Sequence, residues 1–448
     1  MRPNVSGLWL RVARSALAVI LLSGLPGAAL AQEPEWENVS RRNFLNTIHA
    51  LPENRLAATH VEIVTVGPGT TVTTAFGHSA LRVRFGEPYG PEDYYVDFGE
   101  YDASFGFLVS LLTGDARFRT NVIPTQSAQE FWDRTGRGML NSELDLDRRE
   151  KRVFLEGLAR ALETMQDGYA YDNYTSNCVT FVRDLIMEAT GRTLILPLDP
   201  TDASTWRSRV VAFSNENLWL WGNEILLFDY NTDQIRSGPE MIFLADDLTA
   251  AVHAAGLVRA QRIDVPHRMS HHTAIRERFA RFLDEREMAV FFPPGLNQFN
   301  DGPYLARLVV CSFAVLLLVL MIPAGPLVRT RPLAIRAFAL WGGIMGLWVS
   351  AIAFGTTFQF MDENLLPLVF CPVDFWLWKR PKNAAEIRRR RYYACARIAM
   401  VFLALLLSIV WRPQTLTLPV SFALPFFILY LSGPLVRSDR RKTSESSS

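Results

Sequence analysis

The sequence is short of cysteine, which excludes a disulfide-stabilised fold for its polar part. The chain of 448 residues has only Cys178, Cys311, Cys371 and Cys395, and Cys178 alone lies before residue 300. A segment that holds one cysteine cannot form an internal disulfide. In an exported protein such an unpaired thiol is a candidate reactive group, because the surroundings are oxidising.

A large excess of charge of either sign is also absent. Lysine and arginine together number 46, aspartate and glutamate number 45, and the net charge is +1. This balance excludes the strongly basic surface that is typical of a nucleic-acid-binding protein. No zinc-motif spacing occurs among His253, His267, His271 and His272. We therefore expect no nucleic-acid partner, no bound metal and no cofactor.

The N-terminus has the pattern of an export signal. Three arginines, Arg2, Arg11 and Arg14, accompany an apolar run over residues 16–22, and residues 29–31 form a small-x-small cleavage site. Residues 1–31 are therefore predicted to be a signal peptide, and the mature chain is predicted to begin at Gln32 with a domain in the periplasm.

The last third of the chain is mostly apolar, whereas the part before it has the composition of a soluble domain. Four of the apolar segments approach the ~20 residues that cross ~30 Å of hydrocarbon. The third is shorter and contains Pro367, Pro372 and Asp374, so its length also fits a re-entrant segment. The apolar segments cover residues 308–328, 337–358, 365–378, 394–411 and 416–435.

The basic residues between these segments predict five spans. Lysine and arginine concentrate in the connections 329–336 and 379–391 and after residue 436. Five spans place all of these on the cytoplasmic side, as the positive-inside rule requires. We thus predict an inner-membrane protein with a signal peptide at 1–31, a periplasmic domain at 32–300, a transmembrane domain at 301–436 and a cytoplasmic tail at 437–448.

The predicted periplasmic domain has the pattern of an α+β fold. Strands are indicated over 61–66, 79–85 and 94–98 by alternating or continuous apolar residues between glycines. Helices follow at about 148–166, from Asn177 to near Gly191, at 245–256 and at 271–287. Strands that precede helices in this way are typical of an α+β domain.

Cys178 and His78 are the candidate nucleophile and base. Ser176 or Asn177 is a good helix N-cap, so Cys178 falls in a first turn, where the helix dipole and free N–H groups stabilise a thiolate. Those N–H groups would also suit an oxyanion. His78 follows Gly77 at the start of an alternating strand. A histidine at a strand end that faces a cysteine on a helix is the arrangement of a thiol dyad.

These residues lie in stretches that resemble the Lnb family of bacterial proteins, which join an Lnb-type periplasmic domain to membrane helices. The similar stretches are 77–83 around His78, 95–99 around Asp97, 177–184 around Cys178, 238–248 and 364–372. Ala245 departs from the family pattern, where proline is usual. The order of histidine before cysteine further resembles the permuted papain-like fold of lecithin–retinol acyltransferase and NlpC-type peptidases.

The resemblance implies that the protein N-acylates lipoproteins. The enzyme would take a fatty acyl chain from a membrane phospholipid onto Cys178 as a thioester. It would then pass the chain to the α-amino group of a diacylated lipoprotein. A thioester divides a difficult ester-to-amide transfer into two easier steps.

A third residue is expected to orient His78. Asp97 on the next predicted strand is the first choice, and Glu62 and Glu100 are its rivals. The supporting residues are predicted to be Asn177 and Thr180 for the oxyanion, Ser79 beside the histidine, and Arg183 for a phosphate or carboxylate. Pairing of Arg183 with a nearby acid is an equal alternative.

Two other functions remain open on the sequence. A periplasmic cysteine hydrolase would use the same dyad to cut a peptide or a lipid ester. A non-enzymatic membrane partner would carry a degenerate domain. The dyad argues against the partner, and five spans argue against a cell-wall peptidase, for which one anchor suffices.

Overall fold

The structure is a computed structural model. It describes residues 35–69, 73–101, 104, 106–107, 110, 113–198, 205–213, 222, 224, 226–268, 331–355, 360–361, 363–379, 381–411, 414 and 416–432. The predicted signal peptide, the predicted helix over 271–287, the first apolar segment and the predicted cytoplasmic tail lie outside these residues. The described residues fall into two compact units, one within Arg14–Glu224 and Gln234–Gly302 and the other within Ile225–Asp233 and Pro303–Ser448.

The first unit mixes strands with helices. Its strands are β1 (His60–Val66), β2 (His78–Arg84), β3 (Asp93–Glu100), β4 (Arg117–Pro124), β5 (Met139–Leu144), β6 (Tyr169–Ala170) and β7 (Val258–Val265). Its helices are α1 (Glu35–His49), α2 (Glu53–Leu56), α3 (Thr125–Thr135), α4 (Arg148–Thr164), α5 (Cys178–Thr190), α6 (Trp206–Phe213) and α7 (Ala245–Ala254).

The strands form one seven-stranded sheet in the order β6-β4-β3-β2-β1-β5-β7, and each neighbouring pair is antiparallel. The α+β prediction is confirmed, as are the first three strands and the helices near 148–166, 178–191 and 245–256. β4 to β7 were not predicted from the sequence. The permuted papain-like assignment stays a prediction.

The central strand β2 is buried on both faces, which the sequence did not indicate. Its pattern alternates apolar residues with arginines, yet Arg82 is fully buried. The Arg82 guanidinium donates to Asp93 at 2.9 and 2.5 Å and to Asp264 at 3.0 Å. Burial of an arginine is tolerated when carboxylates pair with it in this way. This network joins β2 to β3 and β7 and fixes the strand that begins with His78.

Helix ends in this unit follow the sequence closely. Asp147 caps α4 by accepting from the Glu150 N–H at 2.8 Å, and the Glu150 carboxylate accepts from the Asp147 N–H at 2.8 Å. An aspartate followed three residues later by a glutamate is the sequence pattern of this reciprocal capping box. At the C-terminal end of a different helix, α5, Gly191 adopts a left-handed conformation with φ of 65°. Glycine is favoured there because it has no Cβ.

The second unit is helical. Its helices are α8 (Arg331–Gly355), α9 (Leu366–Val369), α10 (Ala384–Val410) and α11 (Thr417–Ser432), with a 3₁₀ helix at Pro372–Trp378. Among the described residues, two helices are long and apolar enough to cross a membrane, Pro332–Gly355 and Ala384–Val410. The 16 residues of α11 span about 24 Å, and the third apolar segment forms only the two short helices. Five spans are therefore not confirmed.

Residues 226–229 belong to this second unit, although the sequence predicts one continuous domain over 32–300. The Asn364 amide donates to the carbonyls of Leu226 and Leu227 at 3.1 and 3.0 Å. The Asp229 N–H donates to the Phe360 carbonyl at 2.7 Å. These main-chain bonds explain why the segment clusters with the helices, and a hydropathy pattern gives no sign of them.

Candidate active site

Cys178 is the first residue of α5, held there by the cap before it. The Asn177 Oδ1 accepts from the N–H groups of Val179 and Thr180 at 2.8 and 3.0 Å. The Thr180 hydroxyl accepts from the Asn177 N–H at 2.9 Å. The prediction of a helix start at Asn177 is confirmed. Cys178 is half-buried at an end of the helix where the dipole favours negative charge.

His78 is placed by a turn and a strand. Gly77 has φ of 73°, a left-handed conformation that turns the chain into β2. His78 is the first residue of that strand, and its side chain is 12% exposed. The ring lies against Gly99 so closely that a Cβ at Gly99 would be 2.6 Å from the His78 Cε1. Gly99 is thus required by the position of the imidazole.

Asp97 on β3 is the acid next to His78. Its Oδ1 lies 2.9 Å from the His78 Nε2, a hydrogen-bonding distance, although the N–H is not well aligned with that oxygen. The same Oδ1 accepts from the Gly99 N–H at 2.6 Å. Loose geometry of this kind is common at catalytic sites without a bound substrate. The predicted neighbour of His78 is therefore in place.

The rival acids are occupied elsewhere. The Glu62 carboxylate lies 3.5 Å from Arg82 and 3.4 Å from Arg262. Glu100 lines a cleft of about 480 Å³ together with Arg41 and Arg119. Neither acid faces the imidazole, so the geometry selects Asp97.

His78 is coupled to both neighbours electrostatically. Burial alone would lower the pKa of His78, but the negative charges of Asp97 and Cys178, with a hydrogen bond to each, raise the pKa above its ordinary value. Because Nε2 faces Asp97, Nδ1 is the ring nitrogen that remains for the sulfur. The imidazole thus interacts electrostatically with the Asp97 carboxylate on one side and with the Cys178 thiol on the other.

The pKa of Asp97 is shifted in the opposite direction to that of His78. Burial would raise the pKa of its carboxyl, but the charge of His78 and hydrogen bonds with His78 and Gly99 lower the pKa below its ordinary value. An ionised Asp97 beside a protonated His78 is the arrangement that both shifts describe. Such a carboxylate stabilises the imidazolium and orients the ring.

The cap residues have their polar atoms engaged. The Asn177 amide nitrogen donates to the carbonyls of Asn173 and Phe243 at 2.7 and 3.3 Å, and its oxygen caps the helix. Thr180 is buried, and its hydroxyl donates back to the Asn177 carbonyl at 3.0 Å. An oxyanion role for either side chain would require release of these bonds. In the structure, the side chains of both residues instead cap the start of α5 and so hold Cys178 in position.

Arg183 and Ser79 are not joined to the dyad. The Arg183 guanidinium donates to Asp184 at 2.7 Å and to the carbonyls of Pro239 and Ile242 at 2.8 and 3.2 Å. It fixes a loop to α5, so the predicted phosphate or carboxylate site at Arg183 is filled by the protein itself. Strand alternation points Ser79 away from the His78 face, and its buried hydroxyl has no partner among the described residues.

An aromatic cluster, formed by Phe98, Phe118, Tyr169, Tyr171 and Phe181, borders the thiol. The Phe181 ring packs edge-to-face with Tyr169 at 4.6 Å and stacks with Phe98 at 5.6 Å, while Tyr171 stacks with Phe118 at 4.1 Å. Burial, followed by the charge of Cys178, raises the pKa of both tyrosines above its ordinary value. Phe181 lies about one helical turn after Cys178 on α5, so the cluster lies on the side of the helix that carries the thiol.

Sequence reasoning missed four contributors to the site: this cluster, Gly99 as a packing surface, Trp132 and Arg137. The Trp132 ring centroid lies 6.1 Å from that of His78 and 4.8 Å from the Arg137 guanidinium carbon. Helix α3, which carries Trp132, was not predicted. The only sequence signal for Arg137 is its place between Gly136 and Gly138, and glycines of this kind mark close backbone approach.

No metal site accompanies the dyad in the part of the chain that the structure describes, where no group of three or more His, Cys, Asp or Glu is placed to hold an ion. His267 is buried, and its Nδ1 accepts from the Gly138 N–H at 3.0 Å. Burial lowers the pKa of His253. His271 and His272 lie outside the described residues.

Asp97→Asn should move the alkaline limb of kcat/KM to lower pH. The active pair contains a protonated imidazole, and the charge of Asp97 raises the His78 pKa. Removal of a neighbouring opposite charge shifts a pKa by about one to three units, here downward. Glu100→Gln is the matched control on the same strand and should leave the limb in place. A shift of the alkaline limb in Glu100→Gln but not in Asp97→Asn would show that Glu100, and not Asp97, orients His78.

Gly99→Ala should reduce kcat/KM by about a hundredfold with little change in melting temperature. The new methyl group would overlap the imidazole, and a displacement of about 1 Å at a reacting group costs that much. Gly222→Ala is the control, because a Cβ there meets nothing within 4 Å. Full activity of Gly99→Ala would show that the ring need not lie where the structure places it.

Comparison with known proteins agrees with the position of this site. Residues 49–210 match the family model described as the Lnb N-terminal periplasmic domain. That range includes His78, Asp97 and Cys178 and ends before the second unit. No curated protein and no solved structure matches the chain. The match supports an Lnb-type family for the segment that holds the candidate active site.

Proposed function

We propose that this protein is a membrane-bound thiol acyltransferase that moves a fatty acyl chain, through a thioester on Cys178, to the N-terminal amine of bacterial lipoproteins. The observation that carries the proposal is His78 between Asp97 and Cys178, with the sulfur at a helix N-terminus. The resemblance to the Lnb family, which the family match supports, implies the lipoprotein acceptor, and the two apolar helices support a membrane-bound protein.

The chemistry would run in two balanced steps. The Cys178 thiolate attacks the ester carbonyl of a phospholipid, a C–S bond forms and the C–O bond breaks. His78 gives its proton to the departing alkoxide, which leaves as the alcohol of a lysophospholipid. The lipoprotein amine then attacks the thioester, His78 accepts the amine proton, and the thiolate is restored as the amide forms.

The surroundings of the sulfur favour an acyl substrate. The aromatic cluster gives the thiol an apolar flank, which suits a hydrocarbon chain better than a polar peptide. Apolar walls also limit access of water, so an amine can compete with hydrolysis of the thioester.

The alternative is a cysteine hydrolase with the same dyad, in which water takes the place of the amine. The two are separated by their products from phospholipid vesicles and a synthetic diacylated lipopeptide. The acyltransferase yields N-acylated lipopeptide and lysophospholipid in equal amounts. Free fatty acid, with no amide product, would assign the hydrolase. Cys178→Ser is the control for reaction at any other group.

Five spans, an inner-membrane location and a cytoplasmic tail complete the proposal. Reporter fusions near Arg390 and at Ser448 should both give cytoplasmic signals, while a fusion within 32–300 should give a periplasmic one. This follows from the basic connections and the positive-inside rule. A periplasmic signal near Arg390 would make the segment at 365–378 re-entrant and remove the five-span topology.

A further inference from the structure

Arg137 is a buried cation that forms no ion pair with any residue that the structure describes. Its side chain belongs to a residue that is 6% exposed, and no carboxylate of the described residues forms a salt bridge with it. One nitrogen, Nε, donates to the Gly67 carbonyl at 2.8 Å. Nη2 is fully buried and has no hydrogen-bond partner among the described residues. A buried charged donor left in this state is costly, and it requires an explanation.

The guanidinium borders the thiol site. Its central carbon lies 4.8 Å from the centroid of the Trp132 ring, which is the ring that also flanks His78 at 6.1 Å. The Trp132 Nε1 donates to the Tyr95 hydroxyl at 3.3 Å, which fixes the indole ring that both side chains contact. Burial lowers the pKa of Arg137 to about 10, while the charges of Tyr95, Cys178 and Asp97 raise it. The cation therefore remains protonated at neutral pH, in the electrostatic field of the dyad.

Neither negative group of the site forms a hydrogen bond with Nη2. The Asp97 carboxylate is engaged by His78 and by the Gly99 N–H. The Cys178 thiolate is consumed when it attacks a substrate. A negatively charged oxygen that belongs to the substrate, or forms from it during the reaction, would accept a hydrogen bond from Nη2. A guanidinium is the side chain best suited to bind such oxyanions.

We infer that Arg137 is an anion-binding residue of the thiol site, which donates from its free nitrogen to a negatively charged oxygen of the bound substrate. The inference rests on the thiol site of the proposed function but not on acyl transfer itself. Two oxygens have this chemistry in an acyl donor: the oxyanion of the tetrahedral intermediate and the phosphate of a phospholipid.

Alkylation of Cys178 tests the inference without any acyl substrate. Iodoacetate and iodoacetamide react with the same thiolate and differ in one carboxylate, so the ratio of their rates cancels any change in thiolate fraction. We expect Arg137→Gln to lower the iodoacetate-to-iodoacetamide ratio by about tenfold, the factor that a charge-assisted hydrogen bond supports. Arg137→Lys keeps the charge and should keep most of the preference. Arg134→Gln, an equal loss of charge at an exposed position three residues away, should leave the ratio unchanged.

An unchanged ratio in Arg137→Gln, with the thiol still alkylated and the melting temperature preserved, would overturn the inference. So would a wild-type thiol that reacts with neither reagent. If Arg137→Gln does not fold, the ratio in Arg137→Lys decides: retention of the iodoacetate preference would support the anion site, and a fall to the ratio of free cysteine would overturn the inference.

Two acyl donors separate the two oxygens. With phosphatidylglycerol and an uncharged diacylglycerol, a phosphate contact predicts that Arg137→Gln raises KM about tenfold for the phospholipid alone. An oxyanion contact predicts an equal fall in kcat/KM for both donors. Unchanged kinetics with both would contradict the inference. If the wild-type protein acylates Cys178 with neither donor, the proposed function fails while the alkylation ratio still reports on Arg137.

Discussion

Cys178→Ala is expected to abolish acyl transfer, with a loss of at least about four orders of magnitude in kcat. Removal of a nucleophile costs this much because the remaining groups can only bind and polarise the substrate. The fold should survive, since Cys178 is half-buried and the cap at Asn177 does not use its side chain. The measurement is the rate of lysophospholipid release from vesicles by the purified full-length protein.

The other cysteines provide the matched controls. Cys371→Ala and Cys395→Ala remove free thiols from the second unit and should retain full turnover. Cys311, which lies outside the described residues, should also be replaceable. Wild-type turnover in Cys178→Ala would contradict the acyltransferase and the hydrolase alike and would direct attention to the second unit.

His78→Ala is expected to lower kcat/KM by about two to four orders of magnitude. The imidazole stabilises the thiolate, delivers the proton to the leaving alcohol and accepts the proton of the amine. Loss of His78 also removes the largest of the interactions that lower the pKa of the buried Asp97 carboxyl and leaves the Gly99 N–H as its hydrogen-bond donor. The assay is the same vesicle reaction, with the melting temperature measured in parallel.

Two comparisons isolate the chemical role of His78. His60→Ala removes another strand-end histidine, one whose Nδ1 lies 2.8 Å from the Glu143 carboxylate, and it should leave the rate unchanged. In the His78→Ala background, Asp97→Asn should add little further loss, because residues that act through each other are not additive. Additive losses would mean that Asp97 acts independently of the imidazole.

The helix that carries Cys178 could be predicted from the sequence because its signals are local. Asn177 and Thr180 occupy the positions of a capping box, and Gly191 ends the helix in a left-handed conformation. Val182, Leu185 and Ala189 recur at helical spacing and are all buried. Asp97 could likewise be chosen because it follows His78 on the next predicted strand, although only the structure separates it from Glu62 and Glu100.

The features that escaped prediction depend on contacts far apart in sequence. Strand β7 reads as polar, since only Val265 is fully buried along its length, and it is a strand because it pairs with β5. Arg82 looks solvent-exposed until Asp264, 182 residues later, is brought to it. Arg137 lies near the candidate site because its guanidinium packs on the Trp132 ring, which also packs near His78. None of these pairings leaves a pattern within one sequence window.

Among the supporting residues, the contacts of Arg183 also depend on residues far away in the sequence. The sequence predicts that Arg183 either binds a phosphate or carboxylate of a ligand or pairs with a nearby acid. The structure shows the pairing: its partners are Asp184 and the carbonyls of a loop more than 50 residues later in the chain. The buried cation beside Trp132 is Arg137, which lies on no predicted element.

The mass of the intact protein after incubation with phospholipid vesicles tests the central claim most directly. Vesicles with acyl chains of a single length should add one acyl mass to the peptide that contains Cys178, and neutral hydroxylamine should remove it, since thioesters are cleaved under conditions that spare oxygen esters and amides. Cys178→Ala should show no adduct. Continued acyl transfer to a lipopeptide while Cys178 stays unmodified, or an adduct only at another residue, would contradict the account.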